Sequence, residues 1–311
     1  MVAPAPIGDA LRATAAALPH NIRLGTSSWS FPGWKGLVYD RKASQTELAR
    51  HGLAAYSKHP LLRSVGVDRT FYGPMTSAEL AEYAENVPDG FRFLVKAAGQ
   101  VTTPWNRPSG AKPKFEKNEL FLDAGFATNV VVRPFVEGLG AKGGPLVFQF
   151  TPLGRMLGKD PSRFIGRLHD FLRALPKGPW YAVEVRDPEV LNDDYVAALL
   201  DAGATHCLNV HARMPLVARQ AEVAAKTLSE RVAVRWMLHA GMEYEEAKDR
   251  YAPFTNLVDE DPESREAIAG ICLTASRRGA ETIVIANNKA EGCAPETLRK
   301  LAEKIVRRGD K

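Results

Sequence analysis

The sequence predicts an α/β protein, a single-domain (β/α)8 TIM-like barrel. Three observations lead there. Eight short runs rich in β-branched and aromatic residues alternate with stretches of helical period along most of the 311 residues. The helical stretches carry their own start signals. The first strand is followed neither by G-x-G-x-x-G nor by a Walker loop, which argues against the main rival, a doubly wound open sheet. No linker rich in Pro, Gly or Ser divides the chain. Residues 1–20 therefore read as an N-terminal extension and 21–311 as one barrel domain.

The predicted strands are residues 22–26, 63–68, 91–96, 146–150, 181–185, 205–210, 232–238 and 282–286. Between them, Ser44 with Glu47 and Thr76 with Glu79 have capping-box spacing, in which a hydroxyl caps one amide and a carboxylate reaches back to another. Pro161, Pro262 and Pro295 stand where a first helical turn tolerates proline. Gly143-Gly144-Pro145 and the segment from Pro176 to Pro179 read as breaks just before strands four and five.

Composition excludes several function classes. Lys and Arg number 41 and Asp and Glu 36, a formal net charge of +5. That mild excess permits an anionic partner without demanding one. Three cysteines with no C-x-x-C pair rule against a disulfide framework or a zinc ribbon. No apolar run reaches the length of a membrane span. The alanine-rich start carries Asp9 and Arg12 and lacks a basic region before a long apolar one, so it does not read as a signal peptide. A soluble cytoplasmic protein with no membrane partner is the expectation.

In a barrel of this kind the active site lies at the carboxyl ends of the strands. Lys96 ends strand three, where it can bind an anion, form a Schiff base or carry a proton; otherwise it simply emerges into solvent. Glu184 and Arg186 are two apart on strand five, so both project to one face. There the carboxylate can move a proton and the guanidinium can clamp a phosphate or carboxylate, unless the two form only a structural ion pair. Gln149 points opposite to Phe148 and Phe150 and offers an amide to a substrate or to a loop. Strand eight runs into Asn287, Asn288 and Gly292, where a helix N-terminus can receive an anion. Thr26, Ser28 and Trp29 follow strand one, with turn chemistry and aromatic packing as the plainer reading.

The loop 102–117 carries Arg107, Lys112, Lys114 and Lys117 around Trp105 and Phe115. It reads as a solvated loop, a basic lid or a single-strand nucleic-acid contact. Seven histidines form no H-E-x-x-H or similar cluster, so no transition-metal cofactor is expected. A loosely held divalent metal stays open, because carboxylates can supply its oxygens from any strand.

These strand-end residues coincide with a family pattern. The sequence resembles the family known as domain of unknown function 72, or YecE-like, from Gly25 to about Ile305. The segment Gly25 to Trp29 with Pro32-Gly33-Trp34 is similar to its opening motif, and Thr70-Phe71-Tyr72 to its strand-two ending. Phe93-x-Val95-Lys96, Phe148-Gln149-x-x-Pro152, Glu184-x-Arg186 and Asn287-Asn288-x-x-x-Gly292-x-Ala294 follow in its order. The resemblance implies a TIM-like barrel and assigns no activity. It also places Asp68, Tyr72, Arg235 and His239 among the binding candidates. Two departures stand out. Gly66 and Asp68 occupy the usual Glu-x-Asn, and Arg235, His239 and Gly241 match Arg-x-His-Gly only roughly.

Three functional readings result. The first is an enzyme on a small anionic substrate, phosphorylated or carboxylated, held by Arg186 and the strand-eight loop, with Glu184 moving a proton and Lys96 stabilising negative charge. The second is a nucleic-acid binder or nuclease using the basic loop. The third, suggested by Gly66, is a ligand-binding module without catalysis.

Overall fold

The computed structural model describes residues 2–106, 116–154, 157 and 160–309. Eight parallel strands close into one barrel: β1 (Ile22–Thr26), β2 (Leu62–Val67), β3 (Arg92–Lys96), β4 (Gly143–Gln149), β5 (Trp180–Glu184), β6 (Thr205–Val210), β7 (Arg231–Trp236) and β8 (Glu281–Ala286). Each pairs with its neighbours in sequence, and β8 returns to pair with β1. The fold class is thus the predicted (β/α)8 barrel. Helices lie outside the strands and between them in sequence, as parallel pairing requires.

Strand alternation sorts the core into two. Leu94, Val147, Trp180, Ala182, Cys207, Ala233, Ile283 and Ile285 pack together as a cluster of their own inside the barrel. Alternate residues such as Phe93, Val95, Phe148 and Val183 face the helices and belong to the larger outer core. The helix Ser162–Ala174 shows the complementary pattern: Phe164, Ile165, Leu168, Phe171 and Leu172 are its buried residues, a stripe at helical spacing. Its Phe171 meets Phe148 of β4 edge to face, with ring centroids 5.2 Å apart. Burying each such side chain contributes about 1.5–3 kcal/mol.

Most strand ends lie within a residue of the sequence reading, and three differences are larger. Gly143, Gly144 and Pro145 belong to β4 rather than to a break before it. A Cβ on Gly144 would stand 2.9 Å from the Phe93 carbonyl oxygen, so glycine lets β4 approach β3 where their register shifts. β7 stops at Trp236, two residues short of the predicted end. The N-terminal stretch is also packed: Val2 and Ala5 are buried, and the helix Asp9–Ala17 lies on the final helix Ala294–Gly309.

The capping signals are seen in place. Thr76 Oγ1 accepts from the Glu79 amide and Glu79 Oε2 accepts from the Thr76 amide, at the start of the helix Ser77–Glu85. Thr76→Ala is expected to cost about 1 kcal/mol, read as a lowered urea midpoint at unchanged slope. At Ser44 only half of the box forms, because the Glu47 carboxylate turns to Arg41 instead. Among the described residues no helix is long and apolar enough to cross a membrane.

Candidate active site

Polar side chains displace apolar ones at the carboxyl ends of the strands. Arg235, next-to-last residue of β7, lies at the centre. Its Nη1 donates to Glu184 Oε2 at 2.6 Å and to Gln149 Oε1 at 3.1 Å. Its Nη2 donates to both Asp68 oxygens at 3.0 Å. One guanidinium thus joins residues from β4 and β5 with Asp68, just past β2. Arg186 closes a second ion pair on Glu184 Oε1 and donates to Asn209 Oδ1 at 3.4 Å. Glu184 is entirely buried and Arg235 is 1% exposed, whereas Asp68 keeps 30% of its side chain in solvent.

Burial alone would push Glu184 up, but Arg186 and Arg235 outweigh it and hold the carboxyl below its usual range. Protonating it would leave two guanidiniums short of a counter-charge. Glu184 is thus held ionised between the two arginines, the ion-pair alternative that its spacing from Arg186 also allowed. Arg235 is likewise committed. Burial opposes its charge, yet Asp68 and Glu184 together raise its pKa above the ordinary value.

Lys96 differs. It is 8% exposed and, among the described residues, forms no salt bridge. Its ammonium lies 3.7 Å from the centroid of the Phe71 ring. Burial, followed by repulsion from Arg235, pushes its pKa down to about 8, against the pull of Asp68 and Glu184. The segment Thr70-Phe71 sets this up: Thr70 Oγ1 donates to the Lys96 carbonyl at 2.6 Å while Phe71 supplies the ring. An amine that titrates near neutrality beside a fixed guanidinium can bind an anion when charged and accept a proton when neutral.

The remaining candidates divide. Gln149 joins the network by accepting from Arg235, a contact the sequence did not signal. Asn287 donates to Ser27 Oγ at 2.8 Å, bridging the ends of β8 and β1. Asn209, which the sequence reading missed, is buried against Arg186. It lies two residues beyond the interior Cys207 on β6, so alternation was the signal for it.

The other candidates make contacts outside the Arg235 network. Thr26 pairs with the buried Tyr56 hydroxyl at 2.8 Å, and Trp29 Nε1 donates to the Leu48 carbonyl, so both are engaged with the helical layer. Ser28 bonds Ser30 at 3.0 Å. Tyr72 is 80% exposed and packs on Phe71. His239 donates its amide to the Lys289 carbonyl and has Nδ1 2.9 Å from the Ala240 oxygen. Asn288 Oδ1 accepts from the Ala294 amide, capping the final helix, and Gly292 adopts φ 111° beneath the Asn256 carbonyl. Asn287 and Asn288 thus fix the loop and the helix start, while Asn288 Nδ2 is buried with no partner among the described residues.

Gly66 faces the barrel interior. A Cβ there would stand 3.1 Å from Ser27 Cα and 3.4 Å from the Ile285 side chain. A long carboxylate at 66 would have to displace packed neighbours; Asp68, one step further along the same face, supplies the charge that meets Arg235. Of the basic loop, residues 107–115 lie outside the described residues, and Lys117 pairs with Glu119 at 3.2 Å. Among the described residues no three His, Cys, Asp or Glu side chains converge as metal ligands. His206 is buried under the helices against Tyr195 and Gln220, and burial pushes it down to about 4.

A large cleft lies elsewhere, at the opposite end of the barrel, lined by the first residues of β4, β5, β7 and β8. The titratable groups with shifted pKa values converge instead at the carboxyl ends.

A closed parallel barrel with charged groups gathered on its carboxyl rim defines a TIM-barrel protein. The chain belongs to the family described as "Protein of unknown function DUF72", whose model matches residues 23–311. Two solved structures of that family are similar in fold. One, from Thermotoga maritima MSB8, is 17% identical, covering 91% of this chain and 98% of that one, with a TM-score of 0.59. Another, from Enterococcus faecalis V583, is 13% identical, covering 93% and 98%, with a TM-score of 0.57. Among curated proteins none matches the chain.

Proposed function

We propose that this chain is an enzyme acting on a small anionic substrate, phosphorylated or carboxylated, at the carboxyl rim of the barrel. The observation that carries this reading is the charge balance of the site. Lys96, Arg186 and Arg235 face only Asp68 and Glu184, and Lys96 is the cation left without a carboxylate among the described residues. Arg186 and Lys96 bind the anion. Lys96 also moves the proton, being the group poised between its two states near neutral pH. Asp68 and Glu184 keep the guanidiniums in place.

A thermal-shift screen of phosphorylated and carboxylated metabolites, with and without divalent metals, tests the proposal. A ligand at about 100 times its Kd stabilises the native state by about 2.7 kcal/mol, a rise of several degrees. Lys96→Met and Arg186→Leu should each abolish the shift. If both variants keep it, the ligand binds elsewhere and the reading fails. If uncharged analogues shift the protein equally, the anion preference fails.

A further inference from the structure

At the amino-terminal end of the barrel, remote from Lys96 and Arg235, lies a cleft of about 550 Å³. That volume falls within the roughly 300–1,000 Å³ of sites that take drug-sized ligands. Its walls are largely apolar: Val132, Phe135 and Val136 from one side of the sequence, Pro176, Pro179 and Trp180 from another. Val136 is 46% exposed, while Phe135, Gly138 and Leu139 of the same helix are buried.

The charges on the same cleft are unequal. Its cations are Arg133, Lys177 and Arg231, and its carboxylates are Glu137 and Glu281. Glu281 is already engaged, with Arg23 Nη1 at 2.8 Å and Arg92 Nε at 3.7 Å. Glu137 accepts from the Ser77 hydroxyl at 2.8 Å. The three cations form no salt bridge among the described residues. Arg231, first residue of β7, stands 5.8 Å from the Trp180 ring centroid, with the indole anchored by its donation to Thr205 Oγ1 at 2.9 Å. The cleft thus offers a guanidinium held beside a buried indole at its edge.

From this geometry we infer that the amino-terminal cleft is a second ligand site, for an amphipathic anion: a carboxylate seated at Arg231 and an apolar body lying along Val136, Pro176 and Pro179. It holds none of the groups proposed for chemistry, so its occupant is an effector or a bound carrier cargo rather than a substrate. Neither the family assignment nor the rim site bears on it.

Titration calorimetry of the full chain with decanoate tests the inference, with decylamine as the charge-reversed probe. Decanoate should bind and decylamine should not. Arg231→Glu, an exposed position whose change spares the core, should weaken decanoate by at least about tenfold, the scale of one lost charge-assisted contact. Val136→Asp, on the open apolar wall, should weaken it similarly. Lys96→Met, at the other end of the barrel, should bind decanoate as the wild type does. The inference is overturned if millimolar decanoate does not bind, if decylamine binds equally well, or if Arg231→Glu and Val136→Asp leave the affinity unchanged. Loss of decanoate binding in Lys96→Met alone would move the ligand to the rim and also overturn it.

Discussion

Replacing Arg235 with leucine is expected to cost about 3 kcal/mol of folding stability, the lower end of the range for breaking a buried ion pair. The variant removes a guanidinium that serves two carboxylates and an amide. Glu184 has no access to water and would keep only Arg186. Asp68 is part-exposed and can be hydrated, which is why the loss should not reach the upper end near 5 kcal/mol. A domain with about 5–15 kcal/mol in total would survive, but with a clearly lowered guanidinium midpoint. Arg235→Lys keeps the charge but not the two-armed fork, so it should recover only part of the loss. A wild-type midpoint for Arg235→Leu would show that the network contributes nothing to stability.

Lys96→Met should act in the opposite direction on stability while removing function. The folded protein holds this amine at about 8, against an ordinary 10.5, chiefly through burial. The folded state therefore disfavours the ammonium. Below pH 8 the side chain is charged in both states, and the full cost, about 3 kcal/mol, is present. Between pH 8 and 10.5 the unfolded chain binds more protons than the folded one, so wild-type stability rises with pH. Above that window neither state carries the charge and the cost is gone.

At pH 7 the methionine variant should thus be more stable by up to about 3 kcal/mol, with the advantage shrinking towards zero near pH 10.5. Denaturant melts of both proteins at pH 7, 9 and 10.5 measure this directly. For any turnover found in the screen, kcat/KM should carry an inflection near pH 8 that requires Lys96. An advantage that stays constant with pH would mean that the lysine does not titrate as its surroundings imply.

Much of this was legible in the residues, and the rest was lost for definite reasons. The eight strands could be read because their β-branched runs are short and bounded by caps that later proved real, as at Thr76 and Glu79. Glu184 and Arg186 could be paired from alternation alone, since spacing by two fixes a common face. Thr26 was misplaced because β1 is nearly buried on both sides, so its apolar pattern does not say which side is the lumen. The Asn288 cap was hidden because an asparagine before a helix suits a cap and an anion site equally well. The bond from Arg235 to Asp68 spans 167 positions, and no local pattern can report so distant a contact. Gln149 and Arg235 were nominated separately, without any sign that they touch.

That long-range bond divides the chemistry between two halves of the chain. The first four strands and their loops bring Asp68, Lys96 and Gln149, whose charges cancel. The last four bring Glu184, Arg186, Asn209 and Arg235, with one surplus cation and no amine. Neither half-length fragment owns a usable set. Sealing the ring and assembling the charged rim are a single event, so a prematurely terminated product would lack the network, and any gene-splitting experiment must rejoin both pieces before it can form.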